Sequence, residues 1–225
     1  MFLGTIIYAL LNSSILAVMA IGFSLTFGIS GVANFAYGAM YILSAYLSWM
    51  ILTLLELPYW LAVCVSLMVT MGAGLLMYRF VLLRVRGQAL SEVIATFGVG
   101  LAVLELFNYL GFVGFEYTLP VLIDGGFMIG ETMVDAQRIL IAAAAAFLVA
   151  GLWAFTHHTR LGLAFRGIAQ DERTALTLGI DSDWIATLSV ALGCGLAALA
   201  ATLIISLGSI SPSEERRYSS MRSAM

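Results

Sequence analysis

The sequence has few charged residues and no lysine at all. Of its 225 residues, 10% are charged and 62% are hydrophobic, whereas a soluble domain carries about 25% charged and about 45–50% apolar residues. No charged residue precedes Glu56. Because a helix needs about 20 apolar residues to cross the hydrocarbon core of a bilayer, the sequence predicts a polytopic membrane protein and excludes a soluble domain.

The missing residue types exclude several chemistries. Without lysine, the chain has neither the P-loop of a nucleotide hydrolase nor a Schiff-base amine. A net charge of −3 offers no basic patch for nucleic acid. Its two histidines, His157 and His158, are adjacent, so on a helix they point about 100° apart and do not form a zinc-binding pair. We therefore expect no enzyme, no metal site and no cofactor.

Charge-free stretches separated by polar segments predict an all-α bundle of about six transmembrane helices. The first basic residue is Arg79, so the N-terminal stretch lacks a positive region and is expected to be a retained span, not a cleaved signal. The predicted spans are Thr5–Phe27, Tyr37–Leu55, Pro58–Tyr78, Ser91–Phe112, Ile139–Phe155 and Trp184–Leu207.

Arginine is distributed unevenly between the predicted connections. The segments 79–86 and 160–173 carry three arginines each, whereas 113–138 carries one arginine and four acidic residues. Positively charged loops stay on the cytoplasmic side of a membrane. The sequence therefore predicts a cytoplasmic loop at 157–183 and an N-terminus on the outer, periplasmic side.

The C-terminal residues depart from this pattern. We divide the chain into a membrane domain, residues 1–208, and an atypical polar tail, residues 209–225. The tail contains Arg216, Arg217 and Arg222, although an outward-running sixth span would place it outside the cell. Arginine is unusual in that position.

The break between the first two spans contains Gly28, Gly31, Asn34 and Gly38. This composition disfavours one continuous helix. Irregular backbone at membrane depth survives where protein or a water-filled cavity satisfies its polar groups, and transporters often build substrate sites there. A tight cytoplasmic turn explains the same residues, so both interpretations stay open.

Glu105 lies within the fourth predicted span, with Asn108 one helical turn further on. An ionisable residue in a span costs about 2.5–3.5 kcal/mol on insertion scales unless it finds water or a partner, which marks it as a functional candidate. The alternative is that both side chains reach the headgroup region at the outer end of the helix.

The loop Thr159–Asp183 is longer than a connection requires. Leu161, Phe165 and Ile168 recur at helical spacing and predict one apolar stripe. Asp171 is expected to cap a second short helix that Gly179 ends, and Asp181 or Asp183 to cap the last span. With three arginines against four acids, the helix pair is better suited to docking in a partner's groove than to lying on a bilayer surface.

Three motifs in chain order resemble branched-chain amino-acid ABC transporter permeases, in particular the smaller of the two permease subunits. They are Asn34-Phe35-Ala36-Tyr37-Gly38; Ile94-Ala95-Thr96-Phe97-Gly98; and Arg160-x-Gly162, Arg166-x-x-Ala169-x-Asp171 and Gly179-Ile180 in the long loop. The resemblance covers about residues 1–210. Tyr37 stands where the family has histidine, which removes an imidazole from that position.

The resemblance implies a bacterial inner-membrane subunit that translocates leucine, isoleucine, valine or related amino acids and amides. Implied partners are a second permease subunit, two cytoplasmic ATP-binding subunits and a periplasmic substrate-binding protein, with membrane lipid around the bundle. Implied ATPase-coupling residues are Arg160, Gly162, Arg166, Ala169, Asp171 and Gly179. The implied translocation path contains Asn34, Tyr37, Gly38, Thr96 and Gly98, to which we add Glu105 as an ionisable group within a span.

The length departs from the family, whose members continue for about two more spans. We predict that Ser213–Met225 is not native family sequence and that a frameshift or truncated gene explains it. The alternatives to an importer subunit are a six-span channel or a non-functional remnant of a permease. A channel would not need the structured loop, and an integral-membrane enzyme would need clustered ionisable groups at one membrane face.

Overall fold

The computed structural model describes residues 2–31, 33–110, 126–129 and 132–208. Its helices are α1 (Phe2–Ser30), α2 (Tyr37–Leu54), α3 (Tyr59–Met77), α4 (Ala89–Tyr109), α5 (Ala136–His158), α6 (Arg160–Gln170), α7 (Glu172–Thr177) and α8 (Ser182–Gly208). The predicted polar tail, residues 209–225, lies outside the described residues, so its unusual origin stays a prediction.

Six of these helices, α1 to α5 and α8, are long and apolar enough to cross a membrane. The predicted helical membrane bundle is therefore confirmed. The third span is longer than predicted, because α3 does not stop at Tyr78. It continues through a π-helical turn, Tyr78–Leu82, and a final turn, Leu83–Val85.

The connection between α4 and α5 contains a short hairpin that the sequence patterns did not predict. Strand β1 (Gly126–Ile129) pairs antiparallel with β2 (Thr132–Asp135), with Phe127 opposite Val134 and Met128 opposite Met133. The strands are only four residues each, so the alternation of side chains is too brief to stand out in the sequence.

Helix α8 is the most buried of the six long helices. It lies against α1, α2 and α3, and its buried face is built from small residues. These are Ala186, Ala191, Gly193, Cys194, Gly195, Ala197, Ala198, Ala200 and Ala201. Small side chains let helix backbones approach closely, and this close packing is what holds helices together where lipid is as apolar as the protein.

Two glycines show how close these helices come. A Cβ atom at Gly193 would collide with Thr26 Oγ1 and lie 3.0 Å from the carbonyl oxygen of Gly22 on α1. At Gly74 on α3, a Cβ atom would lie 2.6 Å from Cys194 Sγ. Neither position has room for a larger residue. The packing of α1 and of α3 against α8 therefore requires small residues at these contacts.

Hydroxyl groups add hydrogen bonds across the same contacts. Thr26 Oγ1 donates to Gly22 O at 3.2 Å and lies 3.5 Å from Ser189 O on α8. Ser48 on α2 donates to Ser66 on α3 at 2.7 Å, and both residues are fully buried. In a span, such bonds satisfy polar groups that lipid cannot.

We predict that Gly193→Ala destabilises the bundle by about 1–3 kcal/mol, because the added methyl group overpacks the contact between α1 and α8. The matched control is Gly151→Ala on α5, where a Cβ atom meets nothing within 4 Å. Thermal unfolding of the purified protein in detergent measures both. Equal unfolding temperatures for the two variants would contradict the close approach.

Candidate functional site

The turn between α1 and α2 is shaped by one glycine and one asparagine. Gly31 has a φ of +70°, which a residue with a side chain rarely adopts, and its N–H donates to Phe27 O at 2.8 Å. Asn34 then starts α2, since its Oδ1 accepts from Ala36 N at 3.1 Å and its carbonyl oxygen accepts from Tyr37 N at 3.2 Å. The break predicted from the glycines is therefore a short ordered turn.

This turn packs directly on α4. Phe35 N donates to Thr96 Oγ1 at 3.3 Å, and Thr96 is 1% exposed. One turn further along α4, a Cβ atom at Gly100 would lie 3.5 Å from Ala36 Cα. The structure thus brings together the motifs 34–38 and 94–98, which the sequence analysis treated separately.

A small cleft opens beside this contact, with room inside for about one water molecule; the empty space of about 250 Å³ around it includes open solvent. We call it the Glu92 cleft. It is lined by Thr26, Ser30, Ala33, Asn34, Tyr78, Leu82, Glu92, Thr96 and Val190. Its walls therefore come from α1, the turn after α1, α3, α4 and α8, so a movement of any of these elements changes its shape.

Glu92 is the charged group of this cleft, and it is only 7% exposed. Its Oε1 accepts from Gly87 N at 2.8 Å, and Gly87 has a φ of +88°. The carboxylate therefore stabilises the tight turn before α4. No motif in the sequence pointed to Glu92, although it is the second residue of the predicted fourth span, Ser91–Phe112.

The π-helical turn that continues α3 also lines the cleft. A π turn adds one residue to a helical turn, which rotates the side chains that follow, and such turns are frequent at functional sites. Here Tyr78 and Leu82 are both buried, at 3% and 6% exposed, and both line the cleft.

Tyr37, Gly38, Gly98 and Glu105, which were expected on the path, lie away from this cleft. Tyr37 is buried, but its hydroxyl donates to Met19 O at 3.0 Å on α1. Gly38 and Gly98 are exposed, with nothing near a Cβ position. Glu105 is exposed and accepts from Asn108 Nδ2 at 3.4 Å; nine residues after Thr96, it faces the opposite side of α4.

The first helix of the long loop, α6, folds tightly back on the end of α5. Thr159 caps it, accepting from Gly162 N at 3.0 Å and donating to Phe155 O at 2.7 Å. A Cβ atom at Gly162 would collide with Phe155 O and lie 2.5 Å from Thr156 Cα. Only glycine fits this corner, which gives a physical reason for the Arg160-x-Gly162 motif.

The apolar stripe of α6 differs from the prediction in one residue and in its use. Phe165 and Ile168 are 2% and 4% exposed, but Leu161 is 41% exposed and Gly162 takes the inner position. This face packs on the chain's own core, where Phe165 meets Phe155. The stripe predicted to dock in a partner's groove is therefore occupied within the chain, because α6 folds back at Gly162.

The second loop helix, α7, is capped at both ends as predicted. Asp171 accepts from Thr174 Oγ1 at 2.5 Å, from Thr174 N at 3.3 Å and from Arg173 N at 2.9 Å. The hydrogen bonds from Thr174, and then that from Arg173, lower the pKa of the Asp171 carboxyl. The cap is thus charged at neutral pH and is lost only as the pH falls through that lowered pKa.

Gly179 ends α7 with a φ of +82°. Gly179 N donates to Leu176 O at 3.0 Å, and Ile180 N donates to Ala175 O at 3.1 Å, which is the Schellman arrangement. Asp181 then caps α8 by accepting from Trp184 N at 3.1 Å. Of the two candidates for that cap, Asp181 performs it, and Asp183 has another partner.

That partner is Arg86, at the end of α3. One Arg86 nitrogen binds Asp183 at the start of α8, and the other binds Glu172 on α7 and lies 3.0 Å from Ser182 Oγ. Ser182 Oγ also donates to Glu172 Oε1 at 2.7 Å. We call these four residues, Arg86, Glu172, Ser182 and Asp183, the Arg86 clamp. It ties α3, α7 and α8 together at one end of the bundle.

The sequence could not reveal this clamp. Arg86 served there only as a marker of orientation, and Glu172 and Asp183 are 86 and 97 positions away along the chain.

Of the expected coupling residues, Arg160, Arg166 and Ala169 are exposed on α6, whereas Gly162, Asp171 and Gly179 shape the loop. The ring of His157 stacks on that of Trp153 at 4.8 Å between centroids, and the ring of His158 meets Trp153 edge-on at 5.7 Å.

A bundle of six long apolar helices, with a buried polar cleft and a clamped helix pair at one end, defines a polytopic helical membrane protein. The model of the family "Branched-chain amino acid transport system / permease component" matches residues 5–222. The chain belongs to this permease family, as its motifs predicted.

Curated relatives agree with this assignment. Over 226 residues the chain is 30% identical to the high-affinity branched-chain amino acid transport system permease protein BraD of Pseudomonas aeruginosa, covering 94% of this chain and 73% of that protein. Over 204 residues it is 28% identical to LivH of Escherichia coli K12, covering 84% of this chain and 65% of LivH. The chain thus spans about two thirds to three quarters of these relatives. No solved structure matches it.

We predict that Arg86→Gln loosens α7 and the start of α8. Losing two partly exposed ion pairs, each worth about 0.2–1 kcal/mol, should speed amide hydrogen exchange in residues 172–185 by about two- to thirtyfold. Arg84→Gln, at an exposed arginine two residues away, is the control. Unchanged exchange in the Arg86 variant would show that the clamp does not stabilise this region.

Proposed function

We propose that the chain is a membrane-spanning subunit of an ATP-driven importer of branched-chain amino acids or related amino acids and amides. The observation that carries this proposal is the continuous connection from the surface helices α6 and α7, through the Arg86 clamp, to a buried cleft between the spans. The relatives BraD and LivH are both named as branched-chain amino acid permeases, and they supply the substrate class of this proposal.

The energy for transport would come from partner subunits. The chain has no lysine and hence no P-loop of its own, and we propose that it performs no catalytic chemistry. Two cytoplasmic ATP-binding subunits would supply hydrolysis, a second permease subunit would complete the pathway, and a periplasmic binding protein would deliver the substrate. The arginine-rich end of the bundle would then face the cytoplasm of a bacterial inner membrane, with the N-terminus periplasmic.

The surface available to the ATP-binding subunits is the outer face of α6. Because Phe165 and Ile168 are used internally, the partner would meet Leu163, which is 63% exposed, and the exposed Arg166 and Gln170 beside it. This surface mixes an apolar anchor with a cation, which suits the core and rim of a protein interface. Arg160 and Ala169 lie on the same exposed helix.

Transport would follow from two arrangements of the bundle. Closure of the ATP-binding subunits would push α6 and α7, and the clamp would transmit that movement to the start of α8. Because Val190 of α8 lines the Glu92 cleft, a tilt of α8 against α1 and α4 would alter access to it. ATP would act by favouring one of the two arrangements.

The test of this proposal is transport by the assembled protein. Proteoliposomes that contain the chain, its partner permease and the ATP-binding subunits should accumulate radioactive leucine when ATP and the binding protein are present. Leucine flux that needs no ATP would instead indicate a six-span channel. No flux under any condition would indicate a non-functional remnant.

We predict that Gly162→Ala uncouples ATP hydrolysis from uptake, because the added methyl group forces α6 away from the end of α5. Leucine uptake per ATP hydrolysed should fall at least about tenfold, while membrane insertion stays intact. Gly167→Ala on the same helix is the control, since its Cβ atom would meet only Ile180 Cδ1, at 3.9 Å. If the two variants transport equally, the corner at Gly162 has no role in coupling.

A further inference from the structure

Glu92 is a buried carboxylate without a positive partner in the part of the chain that the structure describes. The ion pairs found there both involve Arg86, whose guanidinium binds Glu172 and Asp183 instead, although Arg86 precedes Gly87 by one residue. Buried charges are normally paired, because removing them from water is costly. Among the described residues no cation neutralises Glu92, so its negative charge is available to a bound ligand.

Asn34, which lines the same cleft, has a hydrogen-bond donor without an acceptor. It is 4% exposed, and its buried Nδ2 has no hydrogen-bond partner among the residues that the structure describes. The orientation of the Asn34 amide is set by its oxygen, because Oδ1 accepts a hydrogen bond from Ala36 N. A buried N–H without an acceptor is rare enough to need an explanation, and an acceptor carried by a ligand provides one.

We propose that the Glu92 cleft binds the ammonium group of the transported amino acid, with the substrate carboxylate on Asn34 Nδ2. A zwitterion supplies the two groups that the cleft lacks, a cation for Glu92 and an acceptor for Asn34. The hydroxyls of Thr26 and Thr96 lie in the same lining. This inference rests on the proposed function for the identity of the ligand.

A merely structural role for Glu92 predicts a different response to one substitution. The carboxylate holds the turn at Gly87 through Oε1, and the amide oxygen of glutamine accepts the same hydrogen bond. Glu92→Gln therefore keeps the turn and removes only the charge. If Glu92 binds a cation, Glu92→Gln loses that binding. If Glu92 only stabilises the turn at Gly87, Glu92→Gln has no effect on binding.

The experiment measures binding to the detergent-purified complex of both permease subunits and the ATP-binding subunits, without the binding protein. Saturation-transfer NMR is recorded with leucine, with isopentylamine, which lacks the carboxylate, and with 4-methylpentanoic acid, which lacks the ammonium. Leucine and isopentylamine should bind, and Glu92→Gln should weaken both at least about tenfold. The control variant is Glu56→Gln, at an exposed glutamate outside the cleft.

Equal leucine binding by the native complex and by Glu92→Gln would overturn the proposal, as would 4-methylpentanoic acid binding as tightly as leucine. Unchanged thermal unfolding of Glu92→Gln shows that the variant is folded. If native proteoliposomes import leucine and Glu92→Gln imports it equally, the ammonium site is wrong and the transport function stands. If no leucine is imported, the transport function falls, and Glu92-dependent binding of isopentylamine still decides on the site.

Discussion

The close packing of α8 is the constraint on which the rest of this structure depends. Its small residues let α1, α2 and α3 approach at positions such as Gly193 and Gly74, where a methyl group would already collide. That approach places Thr26, Tyr78 and Val190 around one cleft. It also fixes the direction of the first turn of α8, where Asp183 meets Arg86. A bundle spaced for larger side chains would have neither the cleft nor the clamp in this form.

Two polar sites of the protein, the Arg86 clamp and the Glu92 cleft, lie next to each other. The clamp joins the end of α3 to α7 and to the start of α8, and the cleft lies between α1, α3, α4 and α8. Gly87, which directly follows Arg86, donates to Glu92. One short segment, Arg86–Gly87, therefore contacts both sites, which gives a short physical route between the loop helices and the cleft.

The sequence predicted what depends on local pattern. Charge-free runs predicted the six long helices, Asp171 and Gly179 predicted the ends of α7, and three motifs predicted the family. The sequence-based predictions failed where contacts between residues far apart in the chain determine the structure. Leu161 was placed on the buried stripe because spacing alone does not show that the chain folds back at Gly162. Glu92 and Arg86 were passed over because their partners and surroundings come from other helices.

The structure places the residues of the two membrane motifs in different surroundings. Asn34 and Thr96 line the cleft, but Tyr37 packs on α1, and Gly38, Gly98 and Glu105 are exposed. Their proximity in sequence did not reveal these differences, since residues one or two positions apart on a helix face different neighbours.

We propose that α6, α7 and α8 move together when ATP binds to the partner subunits. It is tested most directly by distances between spin labels in the assembled transporter, with and without ATP, after Cys64 is replaced by alanine. Labels at Leu178 and Trp184, both exposed, should keep one distance, because the clamp holds α7 to α8. Labels at Leu161, which is 41% exposed on α6, and at Phe35 should change their distance. A constant distance between Leu161 and Phe35, or a changed one between Leu178 and Trp184, would contradict this coupling.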